Sequence, residues 1–127
     1  MMDGEFTTPD MIRSHHFSAI LAATPEVHGW PASQWLQVLR TAAQQANLVP
    51  VSELSFCFQP TGVSAIVLLA ESHVALHFWP EAGKVTIDIH VCDYQQDNYP
   101  KARALSELLA LAISGRSYEW HYLFLSE

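Results

Sequence analysis

The chain predicts an α+β domain, one antiparallel sheet with two helices covering a single face. Three observations predict it. Period-2 alternation recurs in several separate segments, most links between successive strands are too short for crossover helices, and two stretches of helical period each open at a proline.

Arg13 to Ala22 reads as the first strand, with Phe17, Ala19 and Leu21 on one side. Gly29-Trp30-Pro31 breaks the chain, and Pro31 is placed to open a helix. Trp35, Val38, Leu39, Ala42 and Ala46 then recur at helical spacing through about Asn47. Glu53 to Phe58 alternates with Leu54, Phe56 and Phe58 on one side, and Pro60-Thr61-Gly62 is a turn signal. Val63 to Ala70 is a nearly continuous apolar strand, Val74 to Trp79 alternates, Pro80 ends that strand and Ala82-Gly83 turns the chain. Lys84 to Cys92 has the cleanest strand pattern. Val85, Ile87, Ile89 and Val91 point one way, and Thr86, Asp88, His90 and Cys92 the other. Pro100 opens a second helix with the stripe Leu105, Leu108, Leu109, Ala112 and Ile113, and Gly115 stops it. Tyr118 to Leu125 closes as an aromatic-rich strand. The order β-α-β-β-β-β-α-β leaves a polar sheet face that must meet solvent, a site or a partner subunit.

Composition narrows the function classes. All 127 residues are read as one domain, half apolar and only 15% charged, which excludes a disordered chain. The longest apolar run, around Ala65 to Ala70, is far short of the roughly 20 residues that span a bilayer. The formal charge is −7, and six scattered Lys and Arg residues make no basic stripe, so nucleic acid is not an expected partner. The same acidity mildly favours a cationic small-molecule substrate. Met1 to Asp10 carries acids and lacks the pattern of a secretory leader, and two cysteines, Cys57 and Cys92, make no disulfide framework. A reduced, cytoplasmic protein is the expectation.

One segment breaks the apolar pattern. Glu71, Ser72 and His73 stand side by side inside a strand-like stretch, and His77 and Glu81 follow within ten residues. Burying such groups without partners costs several kcal/mol, so the cluster sits at an exposed turn or does chemistry. His73, His77, His90 and Cys92 include zinc-ligand types. On a strand, however, His73 and His77 are about 13 Å apart, and neither CxxC nor HExxH occurs, so no metal is expected. No GxSxG elbow surrounds Ser72, and with seven histidines in the chain chance adjacency is easy, which disfavours a hydrolase triad. Yet Ser72 lies between a carboxylate and an imidazole at a strand junction where backbone strain can be stored, and its hydroxyl could attack the preceding carbonyl. A lone cysteine is more often inert packing, but the alternation puts Cys92 with His90 and Asp88 on the polar face. Phe58, Phe78 and Trp79 read by default as core aromatics, and Glu81 as a solvated turn acid.

The order of three motifs goes further. Phe58-Gln59-Pro60-Thr61-Gly62-Val63-Ser64, then Ala70-Glu71-Ser72-His73, then His77-Phe78-Trp79-Pro80-Glu81 resembles the small prokaryotic S-adenosylmethionine decarboxylases, the pyruvoyl enzymes of spermidine synthesis. The resemblance runs from about His16 to Cys92. It implies self-cleavage between Glu71 and Ser72. Ser72 Oγ would attack the Glu71 carbonyl, β-elimination would release the upstream chain, and hydrolysis would leave a pyruvoyl group capping residues 72–127. By the same resemblance Ser64 assists ester formation and His77 is the base for elimination. The pyruvoyl group then forms a Schiff base with the substrate amine and acts as electron sink, with no metal or external cofactor. Cys92 matches the proton donor to the decarboxylated carbon, which implies a partly exposed thiol close to His77. Phe58 matches an aromatic that stacks on adenine, and Glu81 an acid that holds the ribose hydroxyls. Members of the family are homodimers layered as an αββα sandwich, so a homodimer is expected.

Four positions depart from the family pattern. Phe78 stands where Thr is usual, Asp93 where Gly is, His90 where Phe is, and Ile20 where the first strand usually carries an acid. These leave open a change of substrate to ornithine or arginine, with Asp93 as the added carboxylate for a second amine. Phe58 and Glu81 favour the nucleoside substrate. An uncleaved, non-catalytic homologue that binds ligand or regulates a partner is the remaining reading.

Overall fold

The computed structural model describes residues 11–127, so the acidic stretch Met1 to Asp10 lies outside the described residues. Six strands and two helices follow one another as β1 (Arg13–Ala22), α1 (Ala32–Gln45), β2 (Pro50–Cys57), β3 (Val63–Leu69), β4 (Ser72–Trp79), β5 (Lys84–Cys92), α2 (Tyr99–Ser114) and β6 (His121–Ser126). A short 3-10 turn, Pro25–Gly29, leads into α1. The strands form one sheet in the order β2-β3-β4-β5-β1-β6, every neighbouring pair antiparallel. This is the α+β architecture the alternation predicts.

Local chemistry sets the element ends. Pro31 occupies the cap position of α1, which buries Trp35, Leu39, Ala42 and Ala43. Pro100 falls in the first turn of α2, and Gly115, at φ +71, stops that helix in the left-handed conformation glycine adopts without steric cost. The buried face of α2 is rotated from the predicted stripe. Leu105, Leu109 and Ile113 are buried as expected, but Ala112 is exposed, and Ala102, Ser106 and Ala110 complete the face. Small residues at those positions let α2 lie close against the sheet and α1.

Between helices and sheet lies the core. Leu21, Val67, Val74, Leu76, Val85, Ile87, Ile89 and Val91 are fully buried, the inward half of each alternating strand. The strand over 50–57 begins three residues before the expected Glu53, because it is an edge strand and Pro50, lacking an amide N–H, is tolerated at such a strand's start. Phe78 is a core aromatic, but Phe58 and Trp79 are half exposed. Both stand on or beside the sheet face that no helix covers. Among the described residues no helix is long and apolar enough to cross a membrane.

Leu76 is fully buried at the centre of β4. Leu76→Ala is expected to destabilise the fold by about 2–5 kcal/mol, read as a fall in urea midpoint.

Candidate functional site

Cross-strand register builds the uncovered face in rows. One row runs Leu123, His16, His90, His73, Leu68, Ser52, and the next Ser18, Asp88, Ala75, Ile66, Leu54. A third runs Ile20, Thr86, His77, Ser64, Phe56. Two chemical groupings stand at opposite ends of this grid.

The first surrounds the turn between β2 and β3. A cavity of about 370 Å³ is lined by Phe58, Gly62, Ser64, His77, Trp79 and Glu81, among others. Ser64 and His77 are direct register partners, and Ser64 Oγ lies 2.6 Å from His77 Nδ1. Gly62 adopts φ +116, and a Cβ there would meet the Phe78 carbonyl oxygen at 3.4 Å. Glycine is therefore what lets the turn fold over the cavity. Trp79 Nε1 donates to Thr86 Oγ1 at 3.3 Å, tying the indole to β5. Aromatic walls with one carboxylate at the rim suit a planar ring carrying hydroxyls.

The second lies where β3 turns into β4. Ser72 has φ +146, a region that costs a non-glycine residue about 1–3 kcal/mol. The Glu71 side chain is buried, accepting the Val49 N–H at 3.1 Å, and the Glu71 carbonyl accepts the Cys92 N–H at 2.8 Å. The Glu71–Ser72 peptide is thus clamped from both sides with its carbonyl polarised. Ser72 Oγ lies 3.4 Å from His73 Nδ1, and Cys92 Sγ lies 3.6 Å from His90 Nε2. Burial, with the Asp93 carboxylate adding to it, pushes the half-buried Cys92 thiol above its ordinary pKa. At neutral pH this thiol keeps its proton, as a donor must.

His90 stands between His16, at 4.1 Å between ring centres, and His73, at 5.1 Å. Burial first, then the two neighbouring imidazoles, lower its pKa to about 4. Burial and the same kind of crowding, by His73 and His15, also lower His16, against an opposing pull from Asp88.

The predicted site residues therefore fall into two sets. Ser64, His77, Phe58 and Glu81 come together, and Ser72 and Cys92 come together. The two sets do not meet within one chain. His77 lies five residues along β4 from Ser72, about 16 Å at strand rise. The expected closeness of Cys92 to His77 is not found, since Cys92 lies six residues along β5 from His77's partner Thr86, about 20 Å.

Asp93, the carboxylate considered for a second substrate amine, is already engaged. Its Oδ1 accepts from His15 Nε2 at 2.8 Å and from the Asn98 N–H at 2.8 Å, tying β1 to the start of α2. His15, Asp93 and Asp97 form the gathering of ligand-type atoms within 4.8 Å of one another among the described residues. None of the histidines and cysteine weighed as zinc ligands belongs to it. The signal was present: His15 shares the inward parity of Phe17 and Leu21, and a buried histidine needs partners, here also the Tyr122 hydroxyl at 2.7 Å.

Comparison with known proteins identifies relatives of this chain. Residues 26–118 match the family described as S-adenosylmethionine decarboxylase. The S-adenosylmethionine decarboxylase proenzyme of Pseudomonas aeruginosa (strain LESB58) is 39% identical over 77 residues, 60% of this chain and 48% of that protein. That of Aquifex aeolicus (strain VF5) is 45% identical over 56 residues, 44% of this chain and 42% of that protein. The Thermococcus kodakarensis proenzyme is 36% identical over 86 residues, 68% and 59% of the two chains. The chain spans about half the length of the curated relatives it matches. The crystal structure of the adenosylmethionine decarboxylase from Aquifex aeolicus shares the fold, with a TM-score of 0.70 at 24% identity over 92% of this chain and 91% of that one.

The histidine row has a pH signature. Because His90 binds its proton less readily folded than unfolded, the stability it contributes is present above about pH 6.5 and is lost as pH falls towards 4. NMR titration should show one imidazole protonating at about pH 4, absent in His90→Phe, which should also have a flatter stability profile between those pH values.

Proposed function

The chain belongs to the S-adenosylmethionine decarboxylase family, and on that premise we propose that it is a pyruvoyl-dependent decarboxylase of S-adenosylmethionine, matured by self-cleavage between Glu71 and Ser72. The observation that carries the proposal is the backbone at that bond. A non-glycine residue at φ +146 follows a carbonyl that accepts an N–H from the neighbouring strand. Cleavage releases the strain, and the Cys92 amide stabilises the charge that develops on the Glu71 oxygen during attack.

In this reading Ser72 Oγ adds to the Glu71 carbonyl carbon, the C–N bond breaks, and the freed amine and new ester take the place of the amide. Loss of the Ser72 α-proton then expels the Glu71 carboxylate and leaves dehydroalanine, which water converts to a pyruvoyl group and ammonia. The turn fits that group: Ser72 is partly exposed, on the same end of the sheet as a protonated Cys92 thiol. Once formed, the group supplies an electron sink for decarboxylation. Cys92 protonates the carbon that lost CO₂, while Phe58 stacks on the adenine and Glu81 accepts the ribose hydroxyls.

Ser64 and His77 assist the processing, and the separation of about 16 Å along β4 requires that they do so from a second copy. Two chains stacked through their uncovered faces about a two-fold axis near Ala75 would bring His77 and Ser64 of one over Ser72 and Cys92 of the other. That face is apolar enough for the task, with Leu54, Phe56, Ile20 and Leu123 exposed by more than half. The resulting homodimer is an αββα sandwich. Asp93 Oδ1 is committed to His15 and Asn98, so part of that carboxylate's charge is already matched within the chain, which disfavours ornithine or arginine.

Mass spectrometry of the purified protein should give two fragments, 1–71 and 72–127, the second bearing a ketone, and the protein should release CO₂ from S-adenosylmethionine. Ser72→Ala should stay intact and inactive. Cys92→Ala keeps the amide that polarises Glu71, so it should cleave yet lose roughly 10²- to 10⁴-fold in turnover. An intact wild-type chain, or CO₂ release from ornithine or arginine alone, would overturn the proposal.

A further inference from the structure

We propose that His90 returns a proton to the Cys92 sulfur after each turnover, relaying it from the row of imidazoles on the uncovered sheet face. The inference rests on the reading of Cys92 as the proton donor to the product carbon. Donation leaves a thiolate in a half-buried position that bound substrate would close off from bulk water, so the next cycle needs a route for a proton.

The geometry supplies one. His90 and Cys92 share the outward parity of β5, and Nε2 lies 3.6 Å from Sγ, within hydrogen-bond reach of sulfur. His90 is the direct register partner of His16 on β1 and of His73 on β4, so three imidazoles form one line across three strands. The line continues to Ser14, whose Oγ lies 3.0 Å from His16 Nε2. Facing groups that could hold a competing charge are few. Asp88 sits one row away and is already engaged by the Ser18 hydroxyl at 2.6 Å, and Asp93 is held by His15 and Asn98.

A neutral imidazole carries one donor and one acceptor nitrogen. His90 can give its Nε2 proton to the sulfur while Nδ1 takes one from water or a neighbouring ring. The Nε2–H bond and one O–H bond of water, acting directly or through the neighbouring ring, break, S–H and Nδ1–H form, and hydroxide passes to bulk solvent. The ring ends neutral as its other tautomer and regains Nε2–H by exchange with solvent before the next turnover. No charge accumulates on His90, which suits a site whose surroundings disfavour the cation. The hydrogen bond to sulfur also leaves the thiol's own proton free for the substrate. A phenylalanine here, the residue the resembled family usually carries, could fill the space but move no proton.

The test compares His90→Phe with His90→Gln, whose amide can hydrogen-bond sulfur but cannot exchange protons. Both variants should self-cleave and complete a first turnover at the wild-type rate. Both should then slow on the order of 10²-fold in steady state, a split between burst and turnover that misplaced packing would not produce. Steady-state turnover of His90→Gln or His90→Phe equal to wild type overturns the relay. A second readout needs no activity. In a Cys57→Ser background, ultraviolet thiolate absorbance should show the Cys92 inflection at higher pH in His90→Phe than with His90 present. No movement of that inflection overturns the contact itself. A wild-type protein that cleaves but decarboxylates nothing instead overturns the function proposed above, and the thiol titration then decides the contact alone.

Discussion

Both helices lie on the same face of a six-stranded antiparallel sheet, and that one-sidedness governs the rest of the molecule. Side chains alternate across each strand, so sealing one face into a core commits every second residue to the other. On β5 this separates Val85, Ile87, Ile89 and Val91, all buried, from Thr86, Asp88, His90 and Cys92, all left outside. The polar side chains of β5 stand on the unsealed half. So do exposed apolar side chains, among them Ile20, Leu54, Phe56 and Leu123.

A second constraint acts at the turn between β3 and β4. Ala70 donates its N–H to the Val49 carbonyl, and the Val49 N–H is held by the buried Glu71 carboxylate. The Cys92 amide holds the Glu71 carbonyl from the other side. With Glu71 fixed by two neighbouring segments, the bend falls on Ser72, which takes up a φ that β-carbon sterics disfavour. The surrounding fold sustains that strain at the Glu71–Ser72 bond.

Much of this was legible in the sequence. The parity of 84–92 revealed both the strand and its two faces, and Pro31, Pro100 and Gly115 marked helix ends because backbone chemistry leaves them few alternatives. The motif around Ser72 was visible as a polar interruption of an apolar stretch. Less legible was what depends on neighbours distant in sequence. The edge position of β2 hides it from apolar-run criteria, and the rotation of α2 follows from packing against both sheet and α1. The separation of Ser72 from His77 was readable and passed over. The strand spacing that ruled out His73 and His77 as joint ligands applies equally to the pair one residue further apart.

The central claim is that one working site draws Ser72 and Cys92 from one chain and Ser64 and His77 from another. Co-expression of Ser72→Ala chains with His77→Ala chains tests it most directly. Each variant alone should remain uncleaved, but in a mixed dimer one site unites the intact Ser72 of the His77→Ala chain with the intact His77 of the other. The account predicts that the His77→Ala chain is cleaved at Glu71–Ser72 in the mixture and only there. A mixed dimer in which both chains stay intact, or cleavage of His77→Ala chains expressed by themselves, would contradict it.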